Sequence, residues 1–440
     1  MRPRIIGIET EYNIQKRTGN TISTVDAAVP CHVKTVREFV PNGGRLYRCS
    51  HLMEYATPEC LGPLQAALYD AAGMQILYGI FSGNNHRISR SNRGKSEDGS
   101  DTYCASHENY SVTRKAFEER HKGLIPFISP FLATRIFAGG GWHDGETFQI
   151  FQRADAMVDI AGLSTTSKRN IVNERDEPHA DKEKYARLHL ICGDSSMSEY
   201  ANALKMATTC MVLDMIEDGY TTPIELEDPV QAMKDISRDF RCNVKRTGGR
   251  TISAIDVQRE YLRQAQRHYV SPDKKTARYM KEWESTLDYL EMDPLSMRQK
   301  VDWATQLWIF ESMEGLDGED RKNISACYHE VRPERNYHTL FDDSALEKAM
   351  SLAPRKTRAY IRSEFVKSAT SGASVNMNWE KIGEFEFPDP LDSYAHMTDG
   401  VRAYAKSLVK FKPPDDITGG LDFSQIDDED INRLLNSAGV

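Results

Sequence analysis

Ile5-Ile6-Gly7-Ile8-Glu9-Thr10-Glu11-Tyr12 stands at the head of the chain, and its reading decides the fold. β-branched residues recur with a period of two and one glycine is the only breaker, so the stretch predicts a strand. Side chains two apart in a strand share a face, roughly 7 Å from one to the next. Glu9 and Glu11 therefore point the same way, and Gly7 leaves open space beside them. Two carboxylates on a covered face are costly to bury unless something positive sits on them. Arg, Lys or a hard cation such as Mg²⁺ would serve, since such cations take carboxylate oxygens. An edge strand with its acidic face in water fits the same pattern, because alternating charge is ordinary on strands.

Outward from that strand, the composition bounds the answer. The chain has 440 residues, 40% hydrophobic and 28% charged, which suits an ordinary globular protein of one large or a few smaller domains. A net charge of −9 argues against a general nucleic-acid binder. Eight cysteines form no CxxC and no zinc spacing, so neither a disulfide framework nor a metal cluster is indicated, which fits a cytoplasmic protein. No apolar run reaches transmembrane length and no leader pattern precedes the first strand, so no membrane association is expected.

Residues 14–42 read as loop. Gly43 to Cys49 reads as a second strand with Arg45, Tyr47 and Cys49 on one face. Pro63 to Ile80 predicts a helix, with Pro in its first turn and an apolar stripe through Leu64, Leu68, Ala71 and Leu77. Residues 82–102, rich in Ser, Gly, Asn and Arg, predict a mobile surface loop. A buried helical segment is expected over 124–138, closed by three glycines, and one or two strands over 148–160. In the polar region 173–194, Arg187 and His189 fall on one face of a strand and Leu188 and Leu190 on the other. Ser196 with Glu199 is a capping-box pattern that opens a helix to about Asp218, with Met211 and Met215 as core. Helices follow near 254–270, 275–291, 296–312 and 344–366, then an irregular stretch with Trp379 and a last helix at 398–410. The tail beyond Pro414 holds seven Asp or Glu against one Arg. It reads as solvated, or as a short acidic helix that folds on a partner through Ile426, Ile431, Leu434 and Leu435. The order of elements predicts an α+β architecture, and no glycine-rich dinucleotide or P-loop motif occurs.

Carboxylates for Mg²⁺, arginines for phosphate oxygens and a nearby His are the inventory of phosphoryl transfer from ATP. Each piece alone is ordinary, since an Arg-x-His strand is more often a structural salt bridge. Their sequence context is more specific. GIETEY (7–12), NGGRLY (42–47), EYATPEC (54–60), SHENY (106–110), NERDEPHADKEKYARLHLICGDSSMSE (173–199), QREYL (258–262) and KTRAYIRSEF (356–365) resemble, in order, the Pup ligase and depupylase family, a relative of glutamine synthetase and γ-glutamylcysteine ligase.

The resemblance implies a glutamine-synthetase-like curved antiparallel sheet with helices on its convex face. It implies a catalytic domain over 1–353 that binds ATP and Mg²⁺, a small C-terminal domain over 354–412 that contributes to the ATP site, and an acidic tail over 413–440. The implied reaction activates the C-terminal Glu of Pup, a small protein modifier, as an acyl phosphate, which a lysine of a target protein then attacks. A link to a bacterial proteasome system goes with that partner. Glu9, Tyr47 and Glu54 fall on the family's magnesium positions, and Arg45, Thr57 and Trp379 on its ATP positions. Glu11, His107, Arg187 and His189 sit in matching motifs and are assigned to the metal and phosphate cradle.

One position departs from the family. Its pattern carries a catalytic Asp two residues after the Tyr, whereas no Asp lies between Tyr47 and Glu54 here, and the segment is one residue shorter. Glu11, Cys49 or His51 would have to replace that base. Otherwise the chain is an ATP-binding pseudo-enzyme with a regulatory role, or a ligase for a small-molecule or peptide carboxylate. Direction is likewise open. The ETE start and the short 14–42 segment resemble the ligases, while 63–73, 148–163 and 287–303 resemble the depupylases, which cleave the same bond. Loss of the Asp costs hydrolysis more than ligation, so amide formation is expected.

Overall fold

A computed structural model describes residues 1–18, 21–24, 29, 38–82, 86–95, 100–166, 168–335, 337–355, 357–368, 377–383 and 385–387. The first strand, Ile6–Thr18, is the axis of a mixed sheet. Its first half lies between Ser106–Thr113 and Leu52–Ala56, both antiparallel to it. Beyond those neighbours run Tyr185–Leu190, Arg169–Asn173 and Met157–Gly162 on one side and Arg45–Cys49 on the other. The outermost pair, Met157–Gly162 with Arg169–Asn173, is parallel, so the expected all-antiparallel sheet is corrected at that edge.

Two segments read as loop are strand. The first strand continues to Thr18 and pairs with Thr21–Thr24 and with His86–Ser89. Within 82–102, Arg93–Lys95 also pairs with Asp101–Tyr103, and Arg90, Asn92 and Arg93 are buried. These polar side chains are covered because each has a distant partner. Arg90 pairs with Asp70, the Asn92 amide bonds Ser195, and Arg93 pairs with Asp101 and Asp155.

The period-two pattern of the opening stretch divides the sheet's faces. Ile6, Ile8, Thr10 and Tyr12 are buried beneath the helices Pro63–Phe81 and Glu199–Glu217, while Gly7, Glu9 and Glu11 face the other way. The long helix packs so near the sheet that a Cβ at Gly73 would run into the Tyr55 ring. The second helix starts differently from the capping-box reading. Ser198, two residues later than Ser196, caps it by accepting from the Ala201 amide. The Glu199 carboxylate instead accepts from the Leu340 and Phe341 amides and pairs with Arg335. Met206, Met211 and Met215 are core.

The helical region holds Ala254–His268 and Lys274–Met292 near their expected bounds. The expected 296–312 helix is a 3₁₀ turn, Pro294–Met297, followed by Asp302–Ser312. The expected 344–366 helix is two, Asp343–Ser351 and Arg358–Ser368, because Pro354 lacks an amide hydrogen and restricts the residue before it. Beyond that break a second, smaller apolar cluster gathers Phe39, Ile361, Phe365, Val366, Met377, Ile382 and Phe387, with Trp379 against it. The helix read at 398–410 and the acidic tail lie outside the described residues. Among the described residues no helix is long and apolar enough to cross a membrane.

Candidate active site

The open face of the sheet is polar because its registers put polar residues side by side. Glu11 stands opposite Glu54, and Glu54 opposite Tyr47. Glu9 stands opposite His107, and His189 lies one strand further out, beside Asn109. Two ligand trios result, Glu9 with His107 and His189, and Glu11 with Cys49 and Glu54, with ligand atoms in each within 4.8 Å of one another.

In the first trio, His107 Nδ1 is 3.3 Å and His189 Nε2 3.7 Å from the Glu9 carboxylate. The two rings meet edge to face at 4.8 Å. Arg187 approaches Glu9 at 4.0 Å and pairs with Glu177 at 3.1 Å. Burial pushes Glu9 up, but the His107 hydrogen bond and the surrounding cationic groups outweigh it and hold the carboxyl below its usual range. Burial and the neighbouring His107 bring His189 down to about 3, so its imidazole is neutral at pH 7. Neither of its ring nitrogens has a hydrogen-bond partner among the described residues, although the side chain is only 5% exposed.

In the second trio, Tyr47 donates to Glu54. Burial, and then the charges of Glu9 and Glu11, push the Glu54 carboxyl well up. Three carboxyl groups thus stand close together, and the neutral imidazole beside them has no hydrogen-bond partner among the described residues. That donor set fits a divalent cation, which would remove both costs. The residues that would hold Mg²⁺ are Glu9, Glu54, Tyr47 and His189, which leaves Glu11 beside them.

Beside the trios lies an open cleft, floored by Ile5 to Glu9 and walled by Thr57, Glu59, Asn109, Arg187, Arg358 and Trp379. Gly7 belongs to this floor, where an added Cβ would meet only Asn109 and Thr57, at about 4 Å. Thr57 is fixed by two bonds to Ile8, its hydroxyl accepting from the Ile8 amide and its own amide donating to the Ile8 carbonyl. Arg45 is on the same face but pairs with Glu38 at 2.5 Å, its guanidinium 4.8 Å from the centre of the Tyr47 ring.

The residues proposed to replace the missing base fare unequally. Cys49 and Leu52 pair, so a two-residue hairpin, Ser50-His51, closes the turn with Ser50 at φ 57°. His51 sits exposed at that tip against Ser50 and is not among the trio residues. Burial, then the charges of Glu11 and Glu54, push the Cys49 thiol up to about 12, which opposes a nucleophilic thiolate. Glu11 keeps its place on the open face, its carboxylate accepting from the Ala105 amide at 2.5 Å.

Four residues near this face had no role in the sequence reading. Glu59 accepts from Arg358 at 2.6 Å and from Arg362 at 3.0 Å, and all three are buried. The i, i+4 spacing of Arg358 and Arg362, one face of one helix, was the available signal. The fourth, Arg153, is buried with its Nε unpartnered and with no ion pair among the described residues. Glu11's charge acts on it against burial.

An acidic and imidazole-bearing sheet face beside an open cleft has the donor types that suit cations together with an anionic ligand. The Pup-ligase protein family model matches residues 21–383. Over 411 residues the chain is 36% identical to a depupylase of Acidothermus cellulolyticus, covering 84% of this chain and 80% of that one. It is 33% identical to a Pup–protein ligase of Actinosynnema mirum over 423 residues, 86% and 93% of the two chains. Two solved structures of the Pup ligase PafA share the fold at 26% identity. Its complex with Pup gives a TM-score of 0.74 over 92% of this chain and 93% of that one, and its complex with ADP gives 0.70 over 89% and 96%. The chain belongs to the Pup-ligase family, a family of enzymes, and has the α+β fold that it shares with PafA.

Proposed function

We propose that this protein is an ATP- and Mg²⁺-dependent carboxylate–amine ligase. Its substrate is the C-terminal Glu of a Pup-like modifier, and its product is an isopeptide bond to a lysine of a target protein. The observation that carries the reading is the cleft beside two cation trios on one sheet face, in a chain that resembles the ADP-bound ligase over most of its length. The cleft would take ATP with Arg187 beside its phosphates, and Glu9, Glu54, Tyr47 and His189 would hold Mg²⁺, which would offset phosphate charge in the transfer of the γ-phosphoryl to the substrate carboxylate. The lysine amine then attacks the acyl phosphate and phosphate leaves, so a hard amide synthesis is divided into two easier steps. Glu11 is the candidate to take the amine's proton, since Cys49 is held protonated and His51 is outside the site. An acyl phosphate is reactive enough for a modest base to suffice.

The similarity to a depupylase favours a second reading, hydrolysis of the same bond. One experiment separates the two. Purified protein is incubated with ATP, Mg²⁺ and a Pup-like modifier ending in Glu, and in parallel with a pupylated target. Ligation predicts ADP release that depends on the modifier and a conjugate that appears; hydrolysis predicts only loss of conjugate in the second arm. Glu9→Ala is expected to weaken Mg²⁺-dependent ATP binding by at least about 100-fold, the scale of losing a charged ligand. Unchanged binding in a titration would remove Glu9 from the site, and ATP binding without turnover in either arm would leave a regulatory pseudo-enzyme.

A further inference from the structure

The cleft's outer wall is Trp379, and what holds this indole comes from elsewhere in the chain. Arg362 is fully buried, on the helix Arg358–Ser368. Its Nη1 donates to the Trp379 carbonyl at 3.4 Å, and its guanidinium lies 4.8 Å from the centre of the Trp379 ring. Its other donors reach Glu59, beside the cleft floor, and the Gly43 carbonyl at 3.3 Å, where the Arg45–Cys49 strand begins. Phe39 meets the other side of the wall, its ring 4.9 Å from that of Trp379 in an edge-to-face contact. One planar, forked side chain therefore ties together the floor, the hairpin and the wall.

We propose that Arg362, anchored on Glu59, is a positioning residue that holds Trp379 against a nucleobase in the cleft. This goes beyond the ligase reading and rests on its assignment of ATP to the cleft. Arg362 itself does not line the cleft and touches no reacting group. Its fork matches the Glu59 carboxylate and leaves donors for two carbonyls, while its guanidinium lies over the indole ring. A lysine keeps the charge for Glu59 but has neither the fork nor the flat face. The expected consequence falls on nucleotide affinity, because Arg362 bonds Glu59, Gly43 and Trp379 and contacts no residue of the trios.

The test uses the full chain and a titration with ATP and Mg²⁺. R362K should raise KM for ATP about tenfold and leave kcat at saturating ATP within about twofold. A merely structural role would lower the active fraction and the melting temperature while leaving KM alone. Trp379→Ala should raise KM similarly, and the double variant should be no worse than Trp379→Ala, because both changes remove one interaction. If R362K does not fold, E59Q with R362Q removes both charges together and is measured the same way. Wild-type KM in R362K, or losses that multiply in the double variant, would overturn the positioning role alone. Absence of ATP binding in the wild type would overturn the ligase reading, and this proposal with it.

Discussion

At the scale of single residues, the open question is what stands where the family keeps an Asp. The sequence shows the residue missing but not why the chain closes without it. The register supplies the reason, since pairing persists to Cys49 and Leu52 and leaves only Ser50 and His51 for the turn. Cys49 therefore points at Glu11 and Glu54, and these carboxylates together with burial keep its thiol protonated. Cys49→Ser should accordingly retain ligation within about threefold, since a hydroxyl donates to the same carboxylates. A loss of about 100-fold or more in kcat, with binding intact, would reinstate the thiol as the reacting group. The identities of Glu9, Glu11, Tyr47, Glu54 and His189 were legible as a set, because alternation and motif each fix a face. Their pairing, Glu9 with imidazoles and Glu11 with Glu54, was not, because register between distant strands has no local signal.

At the scale of elements, the misreadings share a cause. The segment 82–102 looked like loop because its side chains are polar, yet Arg90 and Asn92 are buried against Asp70 and Ser195, far along the chain. The break at Pro354 differs, as its signal was present in the sequence. The helix Pro63–Phe81 was legible throughout, but Gly73 within it has a packing role that only the structure shows. Gly73→Ala should destabilise the protein by about 2 kcal/mol in urea unfolding, because overpacking against Tyr55 exceeds the gain in helix propensity. A stabilisation of about 1 kcal/mol, which propensity alone predicts, would show that Tyr55 gives way freely. Asp302 begins another helix and accepts from the Ser198 amide at 2.9 Å and from the Tyr328 hydroxyl. Burial raises its carboxyl to about 6 against those two hydrogen bonds. The folded state thus holds this proton more tightly than the unfolded chain, and the stability it contributes below about pH 4 is lost as pH rises through about 6. Asp302→Asn accepts the same bonds without the charge. Its stability relative to wild type should rise by about 2 kcal/mol between pH 4 and pH 7, measured by urea unfolding at each pH, and a flat difference would contradict the shift.

At the scale of the molecule, the site belongs to no single region. The carboxylates come from the first strand and its neighbour, the imidazoles from strands 100 and more residues further on, and the cleft wall from Trp379. The motif matches made the parts legible in order. The joint between the sheet and the C-terminal segment became visible only with Glu59 between Arg358 and Arg362. The charges of Arg362 and Arg358 overcome burial and hold the Glu59 carboxyl down at about 2, so this joint stays charged at any ordinary pH. We place the domain boundary at 353/354, between the two helices that Pro354 separates and between the large core and the cluster around Ile361 and Phe365. If that boundary is right, a chain ending at residue 353 keeps the sheet and its helices, because among the described residues their core draws on none beyond Met350. It should unfold cooperatively, at a lower temperature than the full chain, since Phe39 loses its cover and Glu59 its partners. Breaking a buried ion pair from one side costs about 3–5 kcal/mol, which sets the scale of that drop. The same chain should bind ATP at least about tenfold more weakly, since Trp379 and Arg358 leave the cleft. Thermal unfolding and an ATP titration on the one truncated protein check both claims. A chain that fails to fold would place the boundary elsewhere, and one that folds and binds ATP at full strength would show that the C-terminal segment has no part in the site.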